Sequence, residues 1–236
     1  QRRNTNSPGG MNTGGRSYGV HWSKVTHLTL IGDSIFDNSA YVLGGLDVIA
    51  HVRATLDVSD RATLLARDGA VTNDVSSQLR QLPVETTHLF VSVGGNDALE
   101  CFDLGDTPVT SIAGAVRVLA EVRQRFQSDY STLLDQVLAH HKPTAVCTIY
   151  YPRFPQPDIQ EFASTGLTLF NDVILLEAST RGLPVLDLRR ICNADEDFAN
   201  PIEPSHRGGA KIAAAIIDLA HSKFAWTGTT TIHPSR

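Results

Sequence analysis

The sequence predicts an α/β domain built on a five-stranded parallel sheet with helices on both faces. Three observations predict it. Short runs of β-favouring residues alternate with longer stretches of helical periodicity, in the order βαβαβαβαβα. The short runs are nearly continuous in apolar residues, as strands covered on both faces require. The chain has 236 residues, 42% of them hydrophobic and 19% charged, which is enough for one such domain or two small ones. Parallel strands in this order are joined by right-handed crossovers.

The first strand is expected at His27–Gly32 (HLTLIG), followed by a helix over Leu46–Leu56. The second strand is Ala62–Ala66 (ATLLA), with a helix over Thr72–Leu82. The third is His88–Val93 (HLFVSV). After it comes the longest helical stretch, Thr110–His141, whose apolar residues Ile112, Val116, Leu119, Val122, Phe126, Leu133 and Val137 recur at the helical period. A break near Gln127–Ser131 is allowed, and Pro143 ends the stretch. The fourth strand is Ala145–Tyr150 (AVCTIY), its helix Ile159–Thr180, the fifth strand Pro184–Leu188 (PVLDL), and the last helix Ser205–Ser222. Residues 22–222 therefore read as one domain. Residues 1–21, rich in Gly, Asn, Ser and Arg, read as an arm or an expression remnant, and 223–236 as a tail. The chain opens on Gln1, so a processed, truncated or tagged start is expected, and the opening stretch lacks the apolar core of a signal peptide. In the tail, Phe224 and Trp226 are candidates for packing back on the domain or for an oligomer contact.

Composition narrows the function. Twenty basic residues against 25 acidic give a net charge of −5. With no dense Lys/Arg run, nucleic acid is not an expected partner. No apolar run approaches the roughly 18 residues that span a bilayer. The three cysteines, Cys101, Cys147 and Cys192, cannot all pair within the chain, and Cys147 sits in an apolar run as a buried thiol would. No Cys/His spacing fits a metal site. Neither GxGxxG nor GxxxxGK[ST] occurs, so no nucleotide cofactor is expected. A small-molecule partner is the remaining expectation.

In an open parallel sheet, ligands bind at the carboxyl ends of the strands. The first strand is followed by Gly32-Asp33-Ser34, the second by Arg67-Asp68-Gly69, and the third by Gly94-Gly95-Asn96-Asp97. Taken singly, each has an ordinary reading: Ser34 as a helix N-cap, Gly69 in a turn, Asn96 in an Asx turn, Asp97 as a cap of the next helix. Together they bring a hydroxyl, a glycine N–H and an amide to one sheet edge. A hydroxyl there can attack an acyl carbonyl, and the N–H groups can hold the oxyanion. Tyr150–Pro155, after the fourth strand, reads equally as a pocket wall or a packed loop, and Arg67 and Arg153 as weak candidates for an anionic substrate.

GDSI after strand one, a Gly after strand two and GGND after strand three resemble the SGNH, or GDSL-type, hydrolase superfamily. The resemblance spans nearly the whole domain. It implies a flavodoxin-like three-layer αβα sandwich and cofactor-free hydrolysis of esters or thioesters. It implies Ser34 as nucleophile, with Gly69 and Asn96 as oxyanion donors. The GxSxG elbow of ordinary α/β-hydrolases is absent.

The family's Asp-x-x-His block has two possible registers here. In one, Glu203-Pro204-Ser205-His206 supplies an acid and a base, His206 taking the Ser34 proton and Glu203 orienting the imidazole. A His at a helix start tends to stay neutral, which suits a base. In the other, Glu203 stands in the His place and Asn200 in the Asp place, with Ser205 as N-cap and His206 as first helical residue. A carboxylate with an ordinary pKa of about 4.3 is a weak base unless burial raises that value. Three activities remain open: an esterase or acylhydrolase, a binding protein on a hydrolase scaffold, and an acyltransferase using the same serine.

Overall fold

A computed structural model describes residues 25–222, 226 and 228–233. The 1–21 arm and Phe224 lie outside the described residues. The strands are β1 (His27–Gly32), β2 (Arg61–Leu64), β3 (His88–Ser92), β4 (Thr144–Cys147), β5 (Val185–Leu186) and β6 (Ile232–His233). They form one parallel sheet in the order β2-β1-β3-β4-β5-β6. The sheet therefore has six strands, not the expected five. The added strand has two residues, too short to leave an apolar run. It forms because β5 offers an open edge, pairing Val185 with Ile232 and Leu186 with His233.

The helices are α1 (Val48–Thr55), α2 (Val75–Leu79), α3 (Gly95–Glu100), α4 (Ile112–Leu138), α5 (Pro157–Arg181), α6 (Leu188–Ile191) and α7 (His206–Ala220). One sheet face packs against α1 and α7 through Leu28, Leu30, Val48, Val52, Ile212 and Ile216. The other packs against α2, α4 and α5 through Val91, Val146, Tyr130, Leu134, Val173 and Ile174. This is the three-layer αβα sandwich. Helix α4 runs unbroken through 127–131 because Phe126, Tyr130, Leu133 and Leu134 keep one buried stripe. Caps set the boundaries: Asp47 for α1, Ser111 for α4 and Ser205 for α7 each accept a first-turn N–H, and Gly182 closes α5 in the left-handed region. Trp226 packs edge-on to Phe90 and beside His88. Among the described residues, no helix is long and apolar enough to cross a membrane.

Two buried amides finish strand ends where the ladder stops. Gln78 on α2 accepts from the Gly32 N–H at 2.7 Å and donates to the Gly32 carbonyl at 2.8 Å. Asn171 on α5 does the same for Ile149, at 2.8 and 2.9 Å. Each amide meets these backbone groups as a neighbouring peptide would. Gln78→Ala leaves the Gly32 N–H without a partner, while the Gly32 carbonyl keeps the Arg67 N–H at 3.0 Å, and we expect a loss of about 2 kcal/mol in urea unfolding. A loss under about 0.5 kcal/mol would show that the pairing is dispensable.

Candidate active site

Ser34 sits in a turn that the sequence makes tight. Gly32 has φ +128°, and a Cβ there would lie 1.7 Å from the Ser92 carbonyl oxygen of β3. Only glycine fits, so β1 and β3 approach closely just before the serine. The Asp33 N–H then donates to Ser92 at 2.9 Å, and the Asp33 carboxylate accepts from Ile35 at 3.1 Å. No α-helix starts here: the next element is a three-residue 3-10 turn, Ser39–Tyr41, and α1 takes its cap from Asp47. The N-cap reading of Ser34 is thereby removed.

The Glu203 loop is fastened carbonyl by carbonyl. The Pro201 carbonyl accepts from the Arg153 N–H at 2.8 Å, and that of Ile202 from the Tyr150 hydroxyl at 2.6 Å. The Glu203 carbonyl accepts from Ala199 at 2.9 Å, and that of Pro204 from the Asn38 amide at 3.0 Å. Asn200 accepts from the N–H groups of Ile202 and Glu203, both at 2.9 Å. Asn38, wholly buried, also accepts from Val48 at 3.0 Å, so it ties the loop after Ser34 to the loop before α7. These bonds hold Glu203 under the surface, 5% exposed, with its carboxyl group facing the Ser34 hydroxyl. Burial raises the Glu203 pKa to about 7; the Ser34 hydrogen bond opposes that rise and the Asp68 charge adds to it. One carboxyl oxygen, Oε2, is buried without a partner among the described residues. Asp33, next to Ser34, is also buried, and burial first and the Glu203 charge second raise its pKa to about 8.

His206 goes elsewhere. Its ring faces outward at the start of α7, with Nδ1 2.9 Å from the Leu46 N–H and the ring 4.6 Å from that of His51. Ser205 caps α7 by accepting from Arg207 and Gly208. Glu203, and not His206, is the side chain that lies beside Ser34. Asn200 orders the backbone of that loop.

The donors meet at the same edge. Asn96 lies in the first turn of α3 and donates to the Ala70 carbonyl at 2.9 Å, joining that turn to the loop after β2. An amide has two N–H donors, so one is left for a ligand. Gly69 adopts φ +78° and is exposed beside Asp68. The N–H groups of Ser34 and Gly69 have no partner among the described residues. Asp97 is not a cap: it lies within α3, and both carboxylate oxygens accept from Thr72, at 3.2 and 3.1 Å. A cavity of about 550 Å³ opens from Ser34, Asn96 and Glu203, with Ile149, Tyr150 and Phe154 among its walls. Tyr150–Pro155 is therefore both pocket wall and packed loop. Arg153 is committed to Asp195 and to backbone carbonyls, and lies over the Phe198 ring.

A model of GDSL-like lipases and acylhydrolases matches residues 30–235. The chain belongs to the GDSL-like lipase/acylhydrolase family. Solved GDSL-type structures share its fold. An extracellular lipase from Streptomyces rimosus is 18% identical with a TM-score of 0.60, over 83% of this chain and 100% of that one. Phospholipase A1 from Streptomyces albidoflavus is 15% identical with a TM-score of 0.62, over 82% and 98%. An acetylxylan esterase from Geobacillus stearothermophilus is 14% identical with a TM-score of 0.59, over 85% and 97%. No curated protein matches the sequence. Membership in the GDSL family supports ester hydrolysis as the general activity, on small-molecule substrates. Asn38, after Ser34, reads from the sequence as a residue that shapes that loop, and its bonds to Pro204 and Val48 give it that role. Gln78 was not readable as a site residue: its only sequence signal is a polar residue beside buried apolar neighbours, Val75 and Leu79.

Proposed function

We propose that the protein is a serine esterase in which Glu203 replaces the usual imidazole as the base. The observation that carries this reading is the buried Glu203 carboxyl group facing the Ser34 hydroxyl at the inner end of the cavity. Glu203 accepts the Ser34 proton as Oγ attacks the ester carbonyl carbon. The carbonyl oxygen becomes an oxyanion, held by the N–H groups of Ser34 and Gly69 and the Asn96 amide. The tetrahedral adduct expels the alcohol, which takes the proton from Glu203. The acyl group stays on Ser34. Water then attacks the acyl-enzyme, Glu203 accepts its proton, and the acid leaves as Ser34 is reprotonated. Burial makes this proton transfer feasible: a carboxylate with a pKa near 7 is a stronger base than one in water.

The names of the structural neighbours include a lipase, a phospholipase A1 and an acetylxylan esterase, so the fold alone does not set the substrate. The test of the nucleophile is labelling by an alkyl fluorophosphonate, located by peptide mass spectrometry. Label on Ser34, lost on prior denaturation, is the expected result. Folded protein that takes no label at Ser34 would contradict the mechanism and favour a binding protein on this scaffold.

A further inference from the structure

We propose that the preferred esters carry a medium-to-long aliphatic acyl chain, housed in the cavity with its far end at an open apolar rim. This inference rests on the Ser34 reading above and names its substrate class. Ser34 is 7% exposed, at the buried end. Leu104, Leu119 and Phe162, which line the same cavity, are 38%, 44% and 43% exposed, so it runs from the serine to the surface. Val122 and Ile149 line it between α4 and the end of β4. The rings of Phe102 and Phe162 meet edge-to-face at 5.3 Å. Gly105 lets this happen, because a Cβ there would lie 3.0 Å from Phe162.

The lining chemistry selects the ligand. Among the described residues, no Lys, Arg or His lines the cavity, so an anionic acyl group has no counter-charge there. Its charged lining groups, Asp33, Glu161 and Glu203, are all acids. A volume of about 550 Å³ lies in the range that encloses a drug-sized molecule, and an acetyl group would leave most of it unfilled. The acyl side is favoured over the alcohol side because the acyl group must remain on Ser34 until water arrives. The alcohol must depart, and the exposed Gly69 side gives it an exit.

The experiment measures kcat/KM for p-nitrophenyl esters from acetate to dodecanoate, and separately for acetate esters of alcohols of increasing length. We expect the acyl series to rise roughly fourfold per methylene at first, the factor that corresponds to about 0.8 kcal/mol per buried CH₂. We expect octanoate to exceed acetate at least 100-fold, on the order of a few buried methylenes. Phe162→Asp, at a half-exposed site that tolerates a polar group, lowers the octanoate-to-acetate ratio about tenfold or more. Acetate cleaved as fast as octanoate through Ser34 would overturn the chain-length inference and leave the esterase reading intact. Length dependence confined to the alcohol series would overturn it equally. No turnover of any ester, with Ser34 unlabelled, would remove the esterase reading and this inference with it.

Discussion

Ser34→Ala is expected to lower kcat for ester hydrolysis by roughly 10⁵- to 10⁶-fold while the protein stays folded. The size follows from the proposed covalent step. Without Oγ no acyl-enzyme forms, and only the oxyanion donors and the binding cavity remain to accelerate attack by water. The fold does not depend on this hydroxyl. The turn is set by Gly32, by the Asp33–Ser92 bond and by the Gln78 amide, none of which uses the Ser34 side chain. Removing the hydroxyl also removes the hydrogen bond that opposes the rise of the Glu203 pKa. The carboxyl group in the variant therefore titrates higher than in the parent. Circular dichroism and the urea midpoint check the fold, and a p-nitrophenyl ester assay checks the activity. Residual activity within about 10-fold of the parent would mean that another group carries the reaction.

Glu203→Gln is the second large effect. Glutamine keeps the shape and the backbone anchors but cannot take a proton. General-base catalysis contributes on the order of 10²- to 10⁴-fold, and a loss of that size in kcat/KM is expected. His206→Ala should stay within about threefold of the parent, because that ring contacts Leu46 and His51 and does not line the cavity. The same logic fixes a pH dependence. The base must be ionised to accept the Ser34 proton, and its pKa is raised to about 7 in the folded protein. Activity is therefore low in acid and rises with pH through about 7. A carboxylate with an ordinary pKa would already be at its plateau two units lower. Glu203→Gln loses this rising limb along with the rate.

Much of this was legible in the sequence, and the exceptions have physical causes. Strand β1 was bounded correctly because its residues are buried on both faces, which leaves a continuous apolar run. The fourth strand was expected to reach Tyr150 but ends at Cys147. Ile149 and Tyr150 are apolar for a different reason: they line the cavity, and Asn171 takes the Ile149 backbone groups that a ladder would use. The sixth strand, with two residues, had no pattern of its own. Ser34, Gly69 and Asn96 stood out because each comes within a few residues of a strand's carboxyl end, and those ends meet at one edge in any parallel sheet. Glu203 and His206 could not be separated by spacing, since both registers keep an acidic or amide residue three positions upstream. What separates them is tertiary. Asn38, Tyr150 and Arg153 come from distant parts of the chain and turn the 200–204 segment inward. The helix start then carries His206 outward.

The most direct test of the Ser34–Glu203 pairing is the pH–rate profile of His206→Ala beside that of the parent, for one good ester. The pairing gives the same rising limb near pH 7 in both, at nearly the same height. Loss of the limb, or of most of the activity, on removing His206 would place the base on the imidazole and return Glu203 to the role of its partner.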